Sequence, residues 1–203
     1  MGGNRAILLV PLPAWVAWWF MVAVVLVSID CTYVLGMKYD VVQYVPSLIT
    51  DLWTRYGESD AQYSGDGVGM EASNGWIITQ SLFNVAEVFL MVVYLIRLQQ
   101  RTITAALTAL TVSVATFWKT CLYMPIILHS EDPVSMVPLL RCTGMSPLAK
   151  NAAHVQAMLA KEGCGMQFFK FQFNFWWIVM PFAVAAAAWS AISHAVTKNA
   201  KTA

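Results

Sequence analysis

Charge is what this sequence has least of. Only 11% of its 203 residues are Asp, Glu, Lys or Arg, against about 25% in soluble domains. Neither sign dominates: Lys and Arg number 12, Asp and Glu 11, for a formal net charge of +1. The basic excess that a nucleic-acid partner needs is missing, so no nucleic acid is expected. Cysteine is sparse too. Its four copies contain no CxxC, and His129, His154 and His194 lie far apart, which suits neither a metal site nor a disulfide scaffold. Cys142 and Cys164 share one segment, either bridged or as two ordinary thiols. The sequence has no Asn-x-Ser/Thr acceptor and no internal repeat. Nothing in it calls for a cofactor.

What the chain does have is apolar residues, 59% of the total, gathered into long runs. A bilayer core requires about 20 apolar residues as helix. Four stretches qualify. Ile7 to Ile29 holds no charge, Trp76 to Ile96 one acid (Glu87), Ile103 to Leu128 one base (Lys119), and Phe168 to Ile192 one base (Lys170) before an alanine-rich close. The first is too long for a signal-peptide core of about 7–15 residues. These runs predict an all-α, integral membrane four-helix bundle with two lumenal loops, a single domain over residues 1–203. Its helices are expected at about 7–35, 76–98, 103–128 and 168–194. The lipid bilayer is its first partner, and a homodimer is compatible with the composition.

The charges set an orientation. Arg5, Arg97, Arg101, Lys198 and Lys201 occupy short segments without acids, whereas the loops at about 36–75 and 129–167 hold nine of the eleven acids. By the positive-inside rule both termini are cytoplasmic and both long loops lumenal.

Polar residues inside the spans fall in register. Gln80, Asn84 and Glu87 line one face of the second helix. Thr116, Lys119, Thr120 and Tyr123 line one face of the third, and Lys170, Asn174, Trp177 and Pro181 one face of the fourth. At about 1.5 Å per residue, Asp30, Lys119 and Gln80 lie about 24–25 Å from the cytoplasmic ends, Asn174 a little higher, and Glu87 about 15 Å. Such groups cost roughly 2.5–3.5 kcal/mol each on insertion scales and normally face the bundle interior. Their convergence predicts a polar cavity in the lumenal half, with Trp53, Trp76, Trp176 and Trp177 nearby. A plainer reading uses the same residues as helix glue: an Asp30–Lys119 ion pair, hydrogen-bonded Gln80 and Asn174, and a protonated Glu87.

The segment LWTRYGESDAQY, Leu52 to Tyr63, followed by an acidic stretch and a span, resembles the emopamil-binding protein family. That family includes the sterol Δ8–Δ7 isomerases and the sigma-2 receptor, with a four-helix EXPERA fold. VSIDCTY at the end of the first helix places Asp30 at the family's acid, VSVATFWKTCLY is similar to its third helix with Tyr123 as the late tyrosine, and Asn174, Trp177 and Pro181 match its N-x-x-W-x-x-x-P spacing. The resemblance implies residence in the endoplasmic reticulum and a closed cavity for sterol-like or cationic amphiphilic molecules. It also implies acid–base chemistry in which one carboxyl protonates an alkene and a second group removes a neighbouring proton. Asp30 and Glu71 are then candidate catalytic acids by position in the family pattern, while depth in the span makes Glu87 the rival of Glu71 on electrostatics. The candidate substrate-binding residues are Trp53, Tyr56, Asp60, Gln80, Asn84, Lys119, Tyr123, Asn174, Trp176 and Trp177. Both Glu71 and Gln80 match the family's early helix-2 acid in position. Leu26 stands where the isomerases carry a histidine, and Lys119 has no counterpart.

Physical chemistry supports the same reaction class. A carboxyl group away from water can donate a proton to an alkene or an epoxide, and aromatic faces steady the resulting cation. The expected function is a membrane isomerase or cyclase, with epoxide opening or hydrolysis as a variant, on an apolar sterol-, terpenoid- or polyketide-like small molecule. The alternative is a non-enzymatic binder of sterols or amphiphiles.

Overall fold

The structure, a computed structural model, describes residues 8–39, 41–57, 75–129 and 152–202; for 42, 55–57, 124–129, 152–174 and 202 it describes the backbone alone. Five α-helices carry the described chain: α1 (Ala14–Lys38), α2 (Ser47–Gly57), α3 (Trp76–Arg97), α4 (Ile103–His129) and α5 (Ala152–Thr202). No strand occurs among the described residues beyond an isolated bridge between Leu9 and Thr102. Ala14–Lys38, Trp76–Gln100, Ile103–Tyr123 and Phe175–Lys201 are each long and apolar enough to cross a membrane. The protein is an all-α membrane helix bundle.

Helix α1 starts at Ala14, not near residue 7, and prolines are the reason. Pro11 and Pro13 lack the backbone N–H and push Val10 and Leu12 into extended backbone. The freed Leu8–Val10 segment lies against the α3–α4 turn instead: Val10 N–H donates to Arg101 O (2.6 Å) and Ile103 N–H to Leu8 O (3.1 Å). We call this end of the bundle the turn end, and the opposite one the loop end. Helix α5 begins at Ala152 rather than near 168. Its early AAHVQAMLAKEG stretch is rich in strong helix formers but too polar for a span, so apolar-run length does not detect it. Its 51 residues extend about 77 Å, more than twice a hydrocarbon core.

Helix α1 packs on α3, α3 on α4 and α4 on α5. Trp19 of α1 meets Trp177 of α5 edge to face, with centroids 5.0 Å apart, which links the first span to the last. Small residues allow close helix approach: Ala105 and Ala109 on α4, with Ala17 and Ala23 on α1, are buried among Phe20, Met91, Tyr94 and Val184. Large apolar side chains point outward, with Trp18, Phe89 and Trp189 each about two-thirds exposed, as a lipid-facing surface requires. Pro181 sits inside α5, buried, where neighbouring helices tolerate its missing donor.

Helix α2 caps the loop end. Pro46 O receives the N–H groups of Ile49 and Thr50, which starts the helix. Ile49 and Trp53 then pack with Met37 and Ile78 around the buried trio Tyr33, Val34 and Ile77. This short helix is what carries Trp53 to the site.

Candidate functional site

Asp30 lies on the last third of α1, half-buried beneath α2. Trp53 Nε1–H donates to its Oδ1 (3.2 Å) and Asn84 Nδ2–H to its Oδ2 (3.1 Å). Both carboxyl oxygens therefore act as acceptors. On its other side Asn84 Oδ1 accepts from Lys119 Nζ. Because an ammonium only donates, that contact fixes the amide: its oxygen faces Lys119 and its NH2 faces Asp30. Lys119 Nζ also forms an ion pair with Glu87 Oε2 at 2.7 Å. Thr116 Oγ1–H donates to the same Glu87 oxygen at 2.9 Å. Three spans and α2 thus contribute to one continuous network, Trp53–Asp30–Asn84–Lys119–Glu87–Thr116.

The pairing differs from the sequence expectation. Helical rise puts Lys119 level with Asp30 and well above Glu87, yet Lys119 pairs with Glu87 and is linked to Asp30 through Asn84. Side-chain direction explains this. Every helical Cα–Cβ bond tilts toward the helix N-terminus. Helix α4 ascends from the turn end, so Lys119 leans back down; α3 descends toward it, so Glu87 leans up. Two long side chains on antiparallel helices close the roughly 9 Å between backbone levels that rise alone implies. Glu87 is accordingly the ion-pair partner of Lys119, not an isolated acid.

The ion pair is well shielded, with side-chain exposures of 10% for Lys119 and 6% for Glu87. Ordering a shielded pair of this kind stabilises the bundle only while both partners and their hydrogen bonds stay in place. Asn84 and Thr116 supply those bonds, one from each of the two helices that carry the charges. The pair and its two polar neighbours form a rigid base on which the Asn84 amide, and through it Asp30, is oriented.

Gln80 stands one turn from Asn84 on the same face but outside this network: its Oε1 is buried without a partner among the described residues, as is Trp76 Nε1 one turn earlier. The two present a free acceptor and a free donor on one helix face. Tyr123 is buried on α4, one turn beyond Lys119 and Thr120. Trp177 packs on Trp19 in the larger core cluster, apart from the cluster around Trp53. Trp176 is about half exposed and stacks edge-on with Phe175 on the outside of α5. The aromatic side chain bonded to Asp30 is Trp53, whose ring centroid lies 6.3 Å from that of Tyr33, and neither Trp176 nor Trp177 takes part in the described network. Thr116 belongs to it although sequence reasoning does not select it as a site residue; its place one turn before Lys119 on the same stripe is the available signal.

Glu71 and Asp60 lie outside the described residues, as do Cys142 and the side chains of Tyr56, Cys164, Lys170 and Asn174. Cys31 and Cys121 are free thiols, and Cys31 Sγ–H donates to Ser81 O at 3.4 Å. Among the described residues no three His, Cys, Asp or Glu side chains cluster as metal ligands. No protein-family model, curated protein or solved structure matches this chain.

Proposed function

We propose that the protein is a membrane-embedded acid–base isomerase or cyclase acting on an apolar sterol-, terpenoid- or polyketide-like substrate, with Asp30 as proton acceptor. One observation carries this reading: an intramembrane carboxyl group is held by a donor at each oxygen, and the two donors come from different helices. Donors at both oxygens fix the direction of the carboxylate. A base needs that orientation, because proton transfer depends first on geometry.

In such a reaction an acid protonates a substrate alkene, a carbocation forms, and Asp30 removes a proton from the adjacent carbon to leave a shifted double bond. With an epoxide, protonation of the oxygen and rupture of one C–O bond give the same kind of cation. The carboxylate and the Trp53 ring stabilise that positive charge electrostatically. Lys119 and Glu87 hold Asn84, and hence Asp30, in place. The proton donor is assigned to Glu71, on the resemblance to the emopamil-binding protein family, because Glu87 is engaged by Lys119. Trp76 N–H and Gln80 C=O, one turn apart, complement a substrate hydroxyl, which both accepts and donates. The endoplasmic reticulum, with both termini cytoplasmic, is the proposed location; the family resemblance and the distribution of bases support it.

A second reading rests on the Trp53 indole beside Asp30. An acid next to an aromatic ring also suits a binding protein for cationic amphiphiles, with Asp30 and Trp53 meeting the ligand's ammonium. Incubating membranes that contain the protein with a panel of polycyclic alkenes and epoxides separates the two. Conversion of one panel member, lost in Asp30→Asn, supports the enzyme. Tight, Asp30-dependent binding of amines with no conversion of any member supports the binder and refutes the enzyme.

A further inference from the structure

A second site lies at the opposite end of the bundle. A groove of about 780 Å³ opens between the start of α1 and the α3–α4 turn, walled by Leu12, Trp18, Met21 and Leu98, with Arg101 at its rim and Tyr94 in its lining. Its level is fixed by the span ends: Ala14 begins the first span, Gln100 ends the second and Ile103 begins the third. The groove therefore sits where hydrocarbon meets headgroups. Its volume is within the roughly 300–1,000 Å³ of small-molecule sites. The geometry points to a binding site for one anionic glycerophospholipid, its acyl chain along Trp18 and Met21 and its phosphate on Arg101.

Three observations support that occupant. Arg101 has φ +48°, the left-handed region that glycine favours and a long side chain does not. The Leu8–Val10 segment pairs with the backbone just after it, through Arg101 O and Ile103 N–H. The Arg101 side chain is exposed at this end of the bundle. Second, the Tyr94 hydroxyl is buried and has no hydrogen-bond partner among the described residues, on a side chain only 1% exposed. A lipid ester carbonyl is an acceptor of the kind it lacks. Third, among the residues whose side chains are described, the charge at this end is of one sign: Arg97, Arg101, Lys198 and Lys201 are exposed, and the acids of that set, Asp30, Asp51 and Glu87, all lie elsewhere. Anionic lipids gather at such basic, membrane-flanking segments. The walls meanwhile face outward, with Trp18 67% and Met21 40% exposed, so a chain can enter from the bilayer.

The site is independent of the Asp30 network and can be tested without a substrate. The full chain, delipidated in a neutral detergent, is titrated with phosphatidylglycerol or phosphatidylcholine of matched acyl chains, and bound lipid is counted by native mass spectrometry. Phosphatidylcholine offers the same phosphate but adds an ammonium that the basic residues at this end repel, so phosphatidylglycerol is expected to bind about tenfold tighter. Arg101→Gly suits the left-handed backbone and should fold as well as the parent while losing this preference; Arg101→Asn, also tolerant of that conformation, is the second variant. Met21→Trp fills the groove and lowers retention of both lipids. Tyr94→Phe lowers retention of both lipids alike, since both carry the ester carbonyl. Equal binding of the two lipids by the parent, or an unchanged preference in both Arg101 variants, overturns the proposal. Full competition by glycerol 3-phosphate also overturns it, since the site would then recognise a free phosphate.

Discussion

Removing the negative partner of Lys119 tests how the network is wired. Glu87→Gln keeps the side-chain shape and leaves Thr116 an acceptor. Lys119 is then shielded from water with only neutral amide oxygens, that of Asn84 and that of the new side chain, as its near partners in the network. Breaking a buried ion pair from one side costs about 3–5 kcal/mol. For a chain of this size each kcal/mol shifts Tm by roughly 2–4 °C, so a fall of about 6–20 °C is expected. Asp30→Asn leaves the Lys119–Glu87 pair whole but turns one acceptor oxygen into a donor that faces Trp53 N–H or Asn84 NH2, so its expected cost is smaller, about 1.5–3 kcal/mol. Glu87→Met with Lys119→Met removes both charges together and should recover most of the loss, since apolar replacement of a whole buried pair is often neutral. Thermal unfolding of detergent-solubilised protein, followed by size-exclusion of the surviving fraction, reads all three. The reasoning fails if Asp30→Asn is the more damaging single change, or if the double replacement is as unstable as Glu87→Gln.

Other perturbations bear on the chemistry and the topology. Trp53→Phe keeps the apolar packing against Tyr33 but removes a donor from Asp30; turnover should fall by roughly tenfold or more, as loss of a charge-assisted hydrogen bond implies, and wild-type rates would remove Trp53 from the mechanism. Glu71→Gln should be inactive at normal membrane levels, and full turnover by that variant would withdraw its assignment as the proton donor. Tags at Met1 and Ala203 should both be digested by protease added outside sealed microsomes; protection of either one contradicts cytoplasmic termini.

The spans are legible in the sequence because the bilayer makes one demand, a long apolar run, and Trp76–Gln100 and Ile103–Tyr123 meet it on either side of a short basic turn. The register of Asn84 and Glu87 on one face, and of Thr116 and Lys119 on another, is legible for a related reason: helical spacing is nearly fixed. What spacing alone does not reveal is the direction in which side chains lean, and that decides the pairing of Lys119 with Glu87. Helix α2 is hidden in a loop whose composition has no long apolar run, although Trp53 reaches Asp30 only because that helix folds over α1. The start of α1 is misplaced by hydropathy, which counts Leu8 to Pro13 as apolar and ignores what Pro11 and Pro13 do to the backbone. The number of tryptophans in α5 suggests a site, but Trp176 faces outward and Trp177 serves the packing of α1 on α5.

Proton transfer by Asp30 is best measured in heavy water. Membranes bearing the wild-type protein, incubated with the converted member of the alkene panel, should yield an isomer that carries one solvent deuterium at the carbon protonated by the acid. Asp30→Asn, present at the same membrane level and still folded at the assay temperature, should yield no labelled isomer. Labelled product formed by Asp30→Asn at the wild-type rate would contradict the account.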